Sequence, residues 1–424
     1  MTAAAVILAG GKGTRSADPA RAKLAQEVGG HSLMEWHLLL LEGSEIDEAI
    51  VVAGHLGDQV QSLCDAIGHH GVSVRVIHEE QQRGTVAALR LAADAVVADE
   101  FLVILGDILM ALPLDQLLEE WRASGASVAV AVHPSSHPED SDAVFPSHSG
   151  RVVVVPKSEK RVHVPNMSSA GLFAINRRGL ERYGNLQDFG SDVLRRAAAE
   201  GDLFAFVTSH YLKDTGTPTR LDAARRDVES GTFEVRGRVA ARPALFLDRD
   251  GVINPTDPEV YSPEAYALLP GVADAIADAN RRGIPVIVVT NQPGIAKGFM
   301  TFDVHEAVRA RMDRLLGASG AYVDDYYFCP HHPESGFADE LPELKVACEC
   351  RKPAPGMAHR AAVRHGIDLS ASAMVGDTER DSGFAAAAGL HFIRVSADCG
   401  APEGEDCYPE PADAIRRGIE VVAC

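Results

Sequence analysis

Short runs of β-branched and other apolar residues recur along the chain. Each is followed by a longer stretch in which apolar positions return every three or four residues. The runs at 4–8, 49–53, 72–77, 101–105 and 127–132 read as strands, and 33–41 and 86–95 carry the spacing of amphipathic helices. Such alternation predicts an α/β fold built on a mostly parallel sheet. The rhythm starts again after residue 240, with strands expected at 244–247, 285–289, 326–328, 373–375 and 392–395. Between the two sets lies a charged helix at 220–230, closed by Gly231, and then a basic stretch carrying Gly237 and Pro243. The pattern therefore predicts two Rossmann-like three-layer domains with mostly parallel sheets, at 1–230 and 244–424, joined by a linker at 231–243. The Gly-, Pro- and acid-rich stretch 399–411 reads as an exposed loop.

The chain has 424 residues, too many for one ordinary core, which agrees with two domains. Its formal net charge of −20 opposes duplex nucleic acid and anionic membrane surfaces at long range, so neither is expected as a partner. A small phosphorylated substrate is still compatible, because local cations can overturn the global sign. The apolar start of the chain has no basic segment before it and is broken by Gly10 and Gly11, so it reads as a buried strand rather than a signal peptide. No apolar stretch is long enough to span a bilayer, and a soluble cytoplasmic protein is expected. Seven cysteines, an odd number, argue against a disulfide framework. Cys329, Cys348 and Cys350 lie close together beside histidines and suggest a metal site instead.

The strongest chemical signal is Leu245-Phe246-Leu247-Asp248-Arg249-Asp250-Gly251, an apolar strand ending in two aspartates. Ligands gather at the carboxyl ends of strands in open parallel sheets. One aspartate there suits a nucleophile and the other a general acid and base, while a divalent cation would relieve their mutual repulsion and clamp a phosphate. Three further elements follow: a strand ending in Thr290-Asn291-Gln292, then Cys350-Arg351-Lys352-Pro353, then Gly376-Asp377 with Asp381 beyond it. In this order they resemble the haloacid dehalogenase superfamily of phosphatases. The resemblance implies Asp248 as nucleophile and Asp250 as general acid/base, with Thr290 and Lys352 binding the transferring phosphoryl group. It also implies that Asp248, Asp377 and the Asp250 carbonyl bind Mg²⁺, with Asp381 in support.

Cys329-Pro330-His331 followed by Cys348-Glu349-Cys350 supplies four ligands of the kind tetrahedral zinc prefers. All four positions are then protein, so the zinc is structural and pins a loop that ends at Arg351-Lys352. With this loop, residues 243–396 resemble the D-glycero-D-manno-heptose 1,7-bisphosphate 7-phosphatase family. Histidinol-phosphate phosphatases share the loop and are the nearest alternative. The resemblance makes Asn291, Lys297 and Arg351 candidate substrate contacts. No insertion of cap size interrupts the domain, so a capless fold holding a small sugar bisphosphate by its loops is expected.

In the first domain the opening strand runs into Gly10-Gly11-Lys12-Gly13-Thr14-Arg15. Glycines there admit backbone N–H groups to phosphate oxygens, and Arg15 adds a charged fork. Lys23 follows, Asp107 ends a strand, and Asp214 stands in Lys213-Asp214-Thr215-Gly216. Asp107 and Asp214 converging on one site would hold Mg²⁺ against a nucleoside triphosphate. Gly84 opens a helix and suits backbone contact with a base. Residues 3–228 together resemble the sugar-1-phosphate nucleotidyltransferases, which release pyrophosphate as a sugar phosphate attacks the α-phosphorus. The sugar-side elements depart from that family: Ala22-Lys23-Leu24, Pro156-Lys157-Ser158-Glu159 and Ser169-Ala170-Gly171 stand where Pro-Lys-Pro, Glu-Lys-Pro and Asn-Ala-Gly are usual. The expectation is a bifunctional enzyme using Mg²⁺ and Zn²⁺ on a sugar phosphate and a nucleoside triphosphate. The alternatives are a phosphatase with a non-catalytic nucleotide or sugar sensor in front, and a histidinol-phosphate phosphatase.

Overall fold

Ala4, Ala5, Val6 and Ile7 are all buried in the first strand, Ala3–Ala9, so both faces of the sheet are covered and the strand reads as a continuous apolar run. The computed structural model describes residues 2–11, 20–67, 70–135, 141–159, 163–256, 260–399 and 406–423. It divides into two compact units. In the first, Ala3–Ala9 is central and pairs in parallel with Glu48–Ala53 and Glu100–Leu105, and Glu48–Ala53 pairs in parallel with Ser73–His78. The sheet then changes direction. Ser168–Asn176 runs antiparallel to Glu100–Leu105, and its other edge takes Val128–His133. A separate two-stranded ribbon pairs Ile108–Ala111 with Tyr211–Asp214, setting Asp214 opposite Ile108.

In the second unit all five strand pairings are parallel, in the spatial order Asp325–Cys329, Val286–Asn291, Leu245–Leu247, Ala373–Gly376, His391–Val395, Asp406–Tyr408. Chain order reverses at Leu245–Leu247, which makes the carboxyl end of that strand a topological switch point. Alternate residues face opposite layers. Leu245, Leu247, Val286 and Val288 pack with helices Val272–Arg281, Phe302–Gly317 and Pro411–Ala423. Phe246, Ile287, Val289 and Met374 pack with Gly356–His365 and Glu379–Ala388. The layers agree with the expected α/β sandwich.

Three details depart from the pattern-based boundaries. Residues 232–237, expected in the linker, form the helix Thr232–Gly237, because Phe233 finds Trp36 and Tyr211 at 4.8 and 5.0 Å between ring centroids. The division falls after Gly237, and the segments Pro134–Ala143 and Lys157–Met167 group with the second unit. There the Asn166 N–H donates to the buried Asp313 carboxylate at 2.9 Å. Finally, part of the stretch expected as a loop is the edge strand Asp406–Tyr408. Asp406 is tied to His391 at 2.8 Å and to Arg417 at 3.2 Å, and Cys399 and Cys407 form a disulfide, against the expectation of none.

Candidate active sites

The carboxyl ends of the central strands of the second unit converge on Lys352. Its ammonium is buried and spends all three protons: on Asp248 at 2.9 Å, on Asp381 at 2.6 Å and on the Val289 carbonyl at 3.0 Å. Burial works against this charge, but Asp248 and Asp381 outweigh it and hold the Lys352 ammonium above its usual range. Lys352 is positioned by Asn291, whose amide accepts from the Lys352 N–H at 2.9 Å and donates to its carbonyl at 3.1 Å. Asp381 is in turn fixed by the helix it starts. Its second oxygen accepts from the Thr378 N–H at 3.0 Å and from the Thr378 hydroxyl at 2.5 Å, completing a capping box.

One oxygen each from Asp248, Asp377 and Asp381 lie within 4.8 Å of one another. Burial, opposed by Lys352 and reinforced by the neighbouring carboxylates, pushes the Asp248 carboxyl up to about 8, and burial and Asp381 push Asp377 up to about 6. Carboxylates so crowded favour a cation. Asp377 Oδ1 is buried and accepts no hydrogen bond among the described residues, a costly state for a carboxylate oxygen that a metal would relieve. Gly251 has φ of +85°, and a Cβ there would fall 2.1 Å from Asp377 Oδ2. The Asp250–Gly251 backbone is thus pressed against Asp377. An all-oxygen cluster of Asp248, Asp377 and Asp381 carboxylates is of the donor type that Mg²⁺ takes.

Asp250 is held differently. Oδ1 accepts from Arg249 Nη2 at 2.7 Å and from Asn254 at 2.9 Å, and Oδ2 accepts from Gln292 at 2.7 Å. Burial raises its carboxyl, but the Arg249 guanidinium and these hydrogen bonds prevail and hold it below the ordinary carboxylate range. Gln292 also donates to the Thr290 hydroxyl at 2.9 Å, linking the second strand to the aspartate pair.

The four atoms of the cysteine–histidine cluster form a small polyhedron. Cys329 Sγ lies 3.6 Å from both His331 Nδ1 and Cys348 Sγ, and Cys350 Sγ lies 3.3 Å from His331 Nδ1 and 3.4 Å from Cys348 Sγ. Tetrahedral zinc with bonds of about 2.0–2.3 Å has edges of about 3.5–3.8 Å. Two of these four edges fall in that range and two lie within about 0.2 Å below it, so a small outward shift of Cys350 suits the set to that ion. His332 points elsewhere, with Nδ1 3.1 Å from the Glu334 carbonyl.

In the first unit Lys23 Nζ reaches Asp107 Oδ2 at 2.5 Å, and Arg220 pairs with Asp214. A Cβ on Gly216 would lie 2.9 Å from Asp214 Oδ1 and 3.0 Å from Asp107 Oδ2, so the two carboxylates meet beside that glycine. Two carboxylates suit Mg²⁺ carrying substrate phosphates. A Cβ on Gly11 would lie 3.8 Å from Lys23 Nζ, which places the glycine turn next to the same ammonium.

Residues 4–231 match the Nucleotidyl transferase family and residues 349–419 match the HAD-hydrolase-like family. Over 165 residues the chain is 42% identical to D-glycero-beta-D-manno-heptose-1,7-bisphosphate 7-phosphatase of Rhodopseudomonas palustris, covering 39% of this chain and 86% of that protein. The protein of the same name from Vibrio cholerae is 37% identical over 179 residues, covering 42% and 94%. Among solved structures, D,D-heptose 1.7-bisphosphate phosphatase from B. bronchiseptica, complexed with magnesium and phosphate, is 34% identical with a TM-score of 0.37, covering 42% and 98%. The chain belongs to both families. It is a nucleotidyltransferase joined to a HAD-like phosphatase.

Within the phosphatase domain Asp248, Asp250, Thr290, Lys352, Asp377 and Asp381 come to one strand edge. Asn291 is engaged with the Lys352 backbone, and Arg351 donates to the His331 carbonyl at 3.2 Å, tying the segment that carries Lys352 to the cysteine–histidine cluster. Within the nucleotidyltransferase domain Gly10, Gly11, Lys23, Asp107 and Asp214 are described, and Gly13 and Arg15 lie outside the described residues. Gly84 has φ of +103°, and a Cβ there would lie 2.3 Å from the Gln187 carbonyl, so its missing side chain admits that backbone. Sequence reasoning passed over Arg249, Asn254 and Gln292. The signal was present: an arginine between two strand-end aspartates and two amides at the following turns.

Proposed function

We propose that the phosphatase domain removes the 7-phosphate of D-glycero-D-manno-heptose 1,7-bisphosphate, and that the nucleotidyltransferase domain joins the resulting heptose 1-phosphate to a nucleoside triphosphate with release of pyrophosphate. The observation that carries the reading is the Asp248–Lys352–Asp381 cluster at the switch point, in a domain 42% identical over 165 residues to a protein named as a phosphatase of that specificity. In this mechanism Asp248 attacks phosphorus through a carboxylate oxygen and the sugar oxygen leaves, giving an aspartyl phosphate. Asp250 supplies the proton the sugar oxygen needs. It then takes a proton from the water that hydrolyses the acyl phosphate. Lys352 and Thr290 hold the transferring phosphoryl oxygens. Mg²⁺ on Asp248, Asp377 and the Asp250 carbonyl would neutralise phosphoryl charge. The contacts from Arg249, Asn254 and Gln292 favour the carboxylate form of Asp250, the form that takes the proton from water in the second half-reaction; that proton is the one Asp250 carries into the next first step. At least one of them must loosen when Asp250 acts as the acid.

In the nucleotidyltransferase domain, Asp107 and Asp214 would hold Mg²⁺ and Lys23 would meet the phosphates beside Gly10 and Gly11. Catalysis there is positioning and charge neutralisation. Two observations favour the sensor reading: Lys23 and Arg220 already neutralise the two carboxylates, and the sugar-side motifs have drifted. The histidinol-phosphate alternative differs in substrate alone. Phosphate release from heptose 1,7-bisphosphate and from histidinol phosphate, compared with Mg²⁺ present, tests the specificity. Preference for the bisphosphate is expected, and preference for histidinol phosphate would replace the reading.

A further inference from the structure

The turn after Gln292 departs from the aspartate pair and is clasped by the zinc loop. Within the turn Lys297 N–H donates to the Pro293 carbonyl at 3.0 Å and Phe299 N–H to the Gly294 carbonyl at 2.8 Å. From the zinc loop, Leu341 N–H donates to the Ala296 carbonyl at 3.0 Å. Gly298 has φ of +76°, and a Cβ there would fall 2.0 Å from the Asp339 carbonyl, so the two loops touch backbone to backbone. Their aromatic side chains continue the contact. Phe299 meets Phe337 edge-on at 5.7 Å between centroids and Tyr261 at 5.5 Å. Phe299 is 48% exposed, a large apolar side chain left at the surface beside the catalytic edge.

Phe337 carries two ammonium groups, Lys345 Nζ at 4.7 Å and Lys297 Nζ at 5.0 Å from its centroid. The two differ in partners. Lys345 pairs with Glu340 at 3.1 Å and donates to the Glu334 carbonyl at 2.7 Å. Lys297 has no carboxylate partner among the described residues, and the ring of Phe337 is what its ammonium meets. A cation left unneutralised on an aromatic face, on the turn that starts at the glutamine holding Asp250, is placed to receive an anion. The aromatic face orients the ammonium without quenching its charge.

We propose that Phe337 is a specificity-determining positioning residue. From the zinc loop it holds Lys297 to receive an anionic group at the end of the substrate remote from the transferring phosphate, while Phe299 and Tyr261 wall the space for the sugar carbons. This rests on the phosphatase reading and deepens it, since it names the side chain that orients the Lys297 ammonium. The site takes a sugar bisphosphate in preference to a monoester of the same size.

The test compares kcat/KM for heptose 1,7-bisphosphate with kcat/KM for p-nitrophenyl phosphate, which has no second anion. Phe337→Leu should lower the ratio of the two by about threefold to tenfold, the span expected for loss of one cation–π contact, through KM for the bisphosphate. Phe337→Tyr should restore it. In a Lys297→Met background Phe337→Leu should lower the ratio no further. A loop that is merely structural would lower both activities together and leave the ratio unchanged, and that result overturns the proposal. Absence of wild-type turnover of the bisphosphate overturns the parent reading and this subsite with it. Wild-type turnover with an unchanged ratio in Phe337→Leu overturns the subsite alone.

Discussion

At Lys352 the phosphatase site and the stability of its domain are the same problem. One buried ammonium compensates two buried carboxylates, Asp248 and Asp381, that would otherwise face each other across the strand ends. Removing one partner of a buried charge cluster leaves the others uncompensated, at a cost of about 3–5 kcal/mol. Lys352→Met should therefore destabilise the phosphatase domain by about that amount in metal-chelated protein, and lower kcat by about a hundredfold or more through lost phosphoryl stabilisation. Denaturant unfolding and phosphate release check the two effects. Full stability with unchanged turnover would contradict the geometry described. Asp248 and Asp377 were legible because each follows an apolar strand, whereas Asp381 lies on the helix Glu379–Ala388 and stood out only by its place after Asp377. Arg249, Asn254 and Gln292 were legible in position but not in role, because what they do depends on which side chain lies across the turn. Asn291 stood out for the right position, yet its amide is used to hold the Lys352 backbone.

Elements show the same division. Cys329, His331, Cys348 and Cys350 were legible as a candidate metal cluster because metal-ligand spacing leaves a local signature, and the structure brings the four together. The purified protein should carry about one zinc per chain, measured by elemental analysis, and Cys348→Ser should lower zinc content and phosphatase activity together. Active, folded protein without zinc would contradict the assignment. By contrast the helix Thr232–Gly237 and the edge strand Asp406–Tyr408 have no periodic signal. Both exist because of distant partners, Trp36 and Tyr211 for one, His391 and Arg417 for the other. A helix in the first unit also carries a pH dependence. His37, on Leu33–Leu41, is fully buried with Nε2 2.8 Å from the Ile108 carbonyl. Burial, opposed by that hydrogen bond, pushes its imidazole down to about 4 from an ordinary 6.5. The unfolded chain takes up this proton as pH falls through 6.5, and the folded chain does not until about 4. Stability from this group is complete above the upper value and declines as pH falls across the window, by up to about 3 kcal/mol. Unfolding followed across that window should slope accordingly, and His37→Gln should flatten the slope. An unchanged slope would show that His37 is not its source.

For the whole molecule, two sheets repeat one architectural idea and each gathers its own carboxylates at strand ends. The two-domain plan was legible because the strand–helix rhythm stops and restarts near residue 240. The grouping of Pro134–Ala143 and Lys157–Met167 with the second unit was not, because it rests on tertiary contacts such as Asn166 to Asp313. The central claim is that the two chemistries coexist in one chain and use separate residues. It is tested most directly by assaying wild type, Asp107→Ala and Asp248→Asn for two reactions: phosphate release from heptose 1,7-bisphosphate, and nucleotidyl transfer to heptose 1-phosphate with each nucleoside triphosphate and Mg²⁺. Products are identified by mass spectrometry. Wild type should perform both reactions. Asp248→Asn should lose phosphate release by about a thousandfold or more, as expected when a nucleophile is removed, and keep transfer. Asp107→Ala should do the reverse. Loss of both activities in a folded Asp107→Ala protein, or the absence of transfer by wild type with every nucleotide, would contradict the account.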